Sequence, residues 1–108
     1  MSETYRAGGR TYLNLAGLML EAREQEMIGS DTQLLQAPNA ENGMLAIAKV
    51  TVFFEDKRSY SALGDASPQS VRAPIAPHIV RMAETRALVR ALRWALGKAE
   101  CSEEELNG

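Results

Sequence analysis

The stretch "MLAIAKVTVFF", Met44 to Phe54, decides the fold. It is rich in β-branched and aromatic residues, and its side chains alternate in character with a period of two. Ala46, Ala48, Val50, Val52 and Phe54 fall on one face. Leu45, Ile47, Lys49, Thr51 and Phe53 fall on the other, which is partly polar. A strand with one face for a core and one for water belongs in an antiparallel sheet. Working outward, "EDKR" turns the chain and "SYSALGD" supplies a further strand through Ser61, Ala62 and Leu63. Upstream, "PNAENG" is turn chemistry, and "TQLLQA", Thr32 to Ala37, reads as an edge strand closed by Pro38. Three short strands in succession predict a meander.

Helices flank it. In "TYLNLAGLMLEAREQEM", Leu13, Ala16 and Leu20 lie on one side with Tyr12, Leu15 and Met19 beside them. Thr11 is placed to cap this helix and the Gly29-Ser30 pair to end it. Ser67-Pro68 predicts a short helical turn near "SPQSV", and Pro74 and Pro77 interrupt it. Pro77 opens a final helix, "HIVRMAETRALVRALRWALG", residues 78 to 97, which Gly97 terminates. At about 1.5 Å per residue it is roughly 30 Å long, enough to cross a sheet. The expected architecture is α+β: an N-terminal helix, a three-stranded antiparallel meander and a long C-terminal helix packed across the sheet. Residues 1–9 read as a flexible lead, 10–98 as a single domain and 99–108 as an acidic tail.

With 108 residues, 45% hydrophobic and 24% charged, the chain has the profile of one globular domain. A core of this size is thin, and oligomerisation is a plausible supplement. One cysteine, Cys101, excludes an internal disulfide framework and fits a reducing cytosol. No run approaches the roughly 18 apolar residues of a membrane span, and "MSETYRAGGR" lacks the apolar core of a secretion signal. A cytoplasmic protein without membrane contact is expected. Net charge is -2, which by itself argues against nucleic acid. Its distribution argues otherwise, because Lys57 to Lys98 holds eight basic residues against Asp65 and Glu84.

Wound at about 100° per residue, the last helix places Val80, Ala87, Leu88, Ala91, Leu92, Trp94, Ala95 and Leu96 on a wide apolar arc. Arg86, Arg90 and Arg93 share the remaining sector at i, i+4 and i+7, without interleaved acids. Three clustered guanidiniums suit a phosphate backbone, whereas the bland alternative is a solvated face. Arg81 and Glu84 fall within the apolar arc one turn apart, and the expectation is a structural ion pair between them or across subunits.

"RMAETRALVRALRWALG" resembles the end of the core in the Rad-fifty-two superfamily of single-strand annealing proteins, including its bacterial DdrA-like branch. In that family a three-stranded sheet precedes a long helix with an Ala-x-Thr segment, an Arg-Ala-Leu-Arg segment and a glycine. Here these are Ala83-Glu84-Thr85, Arg90-Ala91-Leu92-Arg93 and Gly97. "GRTYLNLAGLMLEAR" is similar in kind to the opening helix, and "AIAKVTVFFEDKRSYSALGDAS" to the hairpin. Where some members carry a lysine immediately before the Arg-Ala-Leu-Arg segment, this chain has Val89. The resemblance implies that Arg90 and Arg93 line a groove for single-stranded DNA and that Lys57 and Arg58 project from a hairpin tip toward the strand. It also implies a ring-shaped homo-oligomer. Arg86 joins the site on the wheel argument, and Arg72 as an extension of the track.

Bond-making chemistry has no motif. "GxxxxGK[ST]" is absent from the sequence, so an ATP-driven recombinase is not supported. His78, the single histidine, suits a surface or capping role, and no His/Cys cluster is spaced for a metal. Asp65 and Glu84 have no spacing that requires a nuclease. Cys101 sits among acids that disfavour a thiolate. Tyr60 and Trp94 are candidates for base stacking, although Trp94 at helical spacing is expected in the core. No enzyme activity and no cofactor are expected. The reading is single-stranded DNA binding and strand annealing. Its rival is a structural or protein-interaction module whose arginines dock acidic partners, neighbouring subunits or the chain's own Glu103 to Glu105.

Overall fold

The alternation of Met44–Phe54 becomes the central strand of the protein. In the computed structural model, which describes residues 4–7, 10–72 and 78–97, this strand is β4 (Ala46–Phe54). Ala46, Ala48, Val50, Val52 and Phe54 are each at most 2% exposed, while Phe53 on the opposite face is 40% exposed. β3 (Met27–Gln36) and β5 (Ser59–Ala66) flank β4, both antiparallel to it, in the order β3-β4-β5. The fold is α+β: the meander follows helix α1 (Leu15–Glu24), and helix α2 (Ile79–Leu96) packs on β4 and β5.

Local chemistry explains the connections. In "PNAENG", the Asn39 and Asn42 side chains each accept the other's backbone N–H, at 3.0 and 3.1 Å, and Gly43 takes the left-handed conformation that the turn needs. After β5, the Ser67 N–H donates to the Ser70 hydroxyl and Pro68–Ser70 forms a single 3-10 turn. Gly97, at φ 71°, ends α2 by donating its N–H to the carbonyls of Arg93 and Trp94, as the sequence predicts. Pro74 and Pro77, and the acidic residues 99–108, lie outside the described residues.

Three boundaries differ from the expected ones. α1 starts three residues later than predicted, because Thr4–Ala7 (β1) and Arg10–Leu13 (β2) pair as an antiparallel ribbon, Ala7 opposite Arg10. The cap is therefore Asn14, whose side chain accepts the Gly17 N–H at 3.1 Å, and not Thr11. α1 also ends early: Glu26, at φ 70°, supplies the reversal expected of Gly29-Ser30. That frees Met27 to Ser30 for β3, which is longer than the predicted Thr32–Ala37 and carries register shifts at its two ends.

The core has two parts. Under the first half of α2 the buried residues are mostly alanines: Ala46, Ala48 and Ala66 on the sheet face Ala83 and the larger Ile79 on the helix. Under the second half they are larger, with Val50, Val52, Val89 and Leu92 joined by Leu18 and Ala22 of α1. The closest approach is at Gly64 of β5. A Cβ built there would overlap the backbone oxygen of Ala83 and the backbone nitrogen of Ala87, and would lie 2.9 Å from the Ala87 Cα. The neighbours are main-chain atoms that no rotamer change can move, so the constraint is steric rather than conformational.

Gly64→Ala is accordingly expected to destabilise the fold by about 3 kcal/mol or more, beyond the usual cost of an added methyl group. Chemical denaturation of this variant beside Gly29→Ala, where a Cβ meets nothing within 4 Å, checks it. Equal midpoints for the two would remove the close approach as the reason for the glycine.

Candidate functional site

α2 runs antiparallel to β5, and the predicted arginine sector lies over the outer margin of that strand. The geometry follows from the strand pairing. Phe54 N–H donates to the Arg58 carbonyl at 2.9 Å, and pairing in steps of two from there makes the even-numbered residues of β5 the hydrogen-bonded partners of β4. The carbonyls of Leu63 and Asp65 therefore point away from β4, toward the arginines.

Arg86 is a structural clamp. Its guanidinium donates to the Asp65 carbonyl at 2.9 Å, to the Ser70 hydroxyl at 3.0 Å and to the Ser70 carbonyl at 2.7 Å. One side chain thus ties α2 to β5 and to the 3-10 turn after it. Arg90 follows one turn later. It is exposed, and reaches the Leu63 carbonyl at 3.4 Å. Arg93 is only 5% exposed. The three arginines share one side of the helix as the wheel predicts, but they do not form one solvent-open stripe. The reason is that the sheet lies under the whole of α2 and α1 packs beside its second half, so that of the three arginines only Arg90 stays exposed, with its neighbour one turn on.

That neighbour is Trp94. It is expected in the core and is instead 72% exposed, the most exposed of the large apolar side chains among the described residues. The apolar arc of the sequence is wide enough to hold it, yet no element among the described residues covers that part of the helix. Trp94 lies four residues after Arg90, so the cation and the indole are surface neighbours. Val89, immediately before Arg90, is 0% exposed and packs in the core with Leu18 and Ala22. A lysine at this position would bury a charge in the space Val89 fills.

At the tip of the β4–β5 hairpin Lys57 is exposed with φ 72°. Arg58 beside it is partly committed: its Nε lies 2.6 Å from the Asp56 carboxylate and its guanidinium carbon 4.8 Å from the centroid of the Phe54 ring. Tyr60 is half-buried, its ring edge-on to Phe54 at 5.9 Å, and is not placed to stack on a base. Because the strand and α2 are antiparallel, the tip and the C-terminal end of α2 lie toward the same end of the molecule. The structure therefore places Arg90 and Trp94 one turn apart on α2, with Lys57 and Arg58 at the hairpin tip toward the same end of the molecule. Arg72 is exposed at the other end, just after the turn that Arg86 holds.

Within the chain Arg81 and Glu84 do not pair with each other, the first of the two expected arrangements. Both are exposed, and among the described residues the salt bridge is that of Arg58 with Asp56. The first half of α2 is covered on its sheet side only, so the part of the arc holding these two residues opens on a shallow cleft. It is shared with Pro38, Met44, His78, Ile79 and Val80. No helix among the described residues is long and apolar enough to cross a membrane.

Two expectations follow. Arg86→Ala should lower stability by about 1–2 kcal/mol through loss of the clamp, whereas Arg90→Ala should leave the melting temperature near that of the wild type; thermal denaturation of the pair checks this. Asp56 accepts the Arg58 N–H at 3.1 Å, and this bond, with the guanidinium beside it, holds its carboxyl below the 3.8 of a free aspartate. A depressed carboxyl keeps its turn intact above the ordinary aspartate range and releases it as pH falls through the lower folded value. An NMR titration of the Asp56 carboxyl carbon with a midpoint at or above 3.8 would refute the pairing in solution.

No protein-family model matches the chain, and no match was found to it among curated proteins or solved structures.

Proposed function

We propose that the protein binds single-stranded DNA without strong sequence preference and anneals complementary strands as a homo-oligomer, without nucleotide hydrolysis. The observation that carries this reading is the exposed pair Arg90–Trp94. An indole left 72% in solvent on a short chain, one helical turn from an exposed guanidinium, offers a stacking face and a phosphate contact side by side. Stacking of a base on an aromatic is worth about 1–3 kcal/mol and tolerates any base, while the cation reads only the backbone. Lys57, and Arg58 in part, extend the cationic surface toward the hairpin tip. Arg86 and Arg93 support the site by fixing and filling the helix beneath it. The resemblance of residues 81–97 to the annealing proteins points the same way, as does their ring assembly, which would align the pairs of successive subunits into one track.

Annealing asks little more of the protein. A strand held by its phosphates, with stacking that any base satisfies, keeps its pairing edges available to a complement. A second reading, a protein-interaction module of the same fold, is favoured by one observation: Ile28, Leu34 and Leu35 of β3 are 63%, 48% and 54% exposed. An apolar partner would cover them.

Trp94 is the single tryptophan of the chain, so its emission reports directly on the site. Titration with oligo-dT at low salt is expected to quench it. With about two phosphates neutralised per subunit, log K should fall with log salt at a slope of about −1.4. Arg90→Ala should weaken binding with the fold intact, and Trp94→Ala should weaken it by the stacking contribution. Absence of binding at low salt by the folded wild type, measured by anisotropy of a labelled strand, would overturn the proposal in favour of the interaction module.

A further inference from the structure

We infer that the acidic segment 99–108 of this chain docks on the Arg90–Trp94 surface and competes there with phosphate, an inference that rests on the reading of that surface given above. Charge and reach both lead to it. Residues 99–108 carry Glu100, Glu103, Glu104 and Glu105 and no basic residue. The second half of α2 carries no acid between Thr85 and Leu96, and its exposed cation is Arg90. At the hairpin tip the acid Asp56 is already engaged by Arg58, which leaves Lys57 as the second cation toward that end. A segment whose charge is of one sign thus follows directly on a surface of the other.

The distances suit an intramolecular contact. From Gly97 back to Arg90 is seven residues of helix, about 10 Å. Six residues of extended chain, enough to bring Glu103 into play, span up to about 20 Å. Gly97, in the left-handed conformation, ends the helix there. Leu106, next to the three glutamates, supplies an apolar side chain of a kind that the exposed face of Trp94 can cover. Tethering raises the effective concentration of the segment to the millimolar range, where individually weak exposed ion pairs compete with a ligand. Occupying the surface only when no strand is present, the segment would restrict binding to ligands with several phosphates in a row.

Two variants test it: deletion of 99–108, and Glu103→Gln/Glu104→Gln/Glu105→Gln, which keeps length and shape while removing charge. Without DNA, acrylamide quenching of Trp94 in the wild type at low salt is expected to be weaker than in either variant, and to rise to the variants' level at high salt. Affinity for oligo-dT should increase in both variants by about 2- to 30-fold, the range that two exposed ion pairs span. Identical Trp94 quenching in wild type and variants at low salt would overturn the docking, whatever the DNA result. Segment-dependent quenching in a protein that binds no oligo-dT would uphold the docking and reject the surface as a DNA site.

Discussion

The contact between Gly64 and the backbone of Ala83 and Ala87 sets the height of α2 above the sheet. Helix and strand meet there main chain to main chain, and the alanines around them, Ala46, Ala48, Ala66 and Ala83, are what such an approach leaves room for. Further along, where Val50, Val52 and Leu92 take over, the helix has bulkier side chains beneath it and needs α1 beside it to complete the core. The size gradient of the core, small at one end and large at the other, thus decides where α1 is required and where the sheet suffices.

The arginines depend on the same approach. A helix seated this close to β5 brings its flank within reach of the strand's outward carbonyls, which is how Arg86 and Arg90 find Asp65 and Leu63. A more distant helix would present the same residues to water, and the sector would be the open basic stripe that a helical wheel suggests. Burial divides the stripe further: Arg93 goes inside, Arg86 is consumed in three hydrogen bonds, and Arg90 is left at the surface next to an exposed indole.

Most of the sheet was legible in the sequence because β4 alternates without a fault and its turns use the residues that turns require. α2 was legible from its period and its terminal glycine. What escaped notice has physical causes. The ribbon of β1 and β2 is signalled by two β-prone runs around Gly8-Gly9, but a lead ending in glycines looks the same when read for helices alone. A non-glycine residue, Glu26, made the reversal after α1, where composition pointed to Gly29. The wheel located Arg86, Arg90 and Arg93 on one side correctly and could not weigh them, since the difference between a clamp, a buried cation and a surface cation depends on which elements pack nearby. Trp94 was misplaced, and Arg81 and Glu84 were taken for an intrachain pair, for that reason as well: a wide apolar arc does not say how much of itself will be covered.

The two margins of the three-stranded sheet are not equivalent. A strand arriving from another chain at β5 must first displace two guanidiniums from the Asp65 and Leu63 carbonyls, so this margin is guarded against template growth by residues of its own helix. Among the described strands, β3 pairs only with β4, leaving its other margin as the place where the sheet can be extended. Of the two margins of the β3-β4-β5 sheet, then, the one at β3 is open to strand addition and the one at β5 is held by the helix above it.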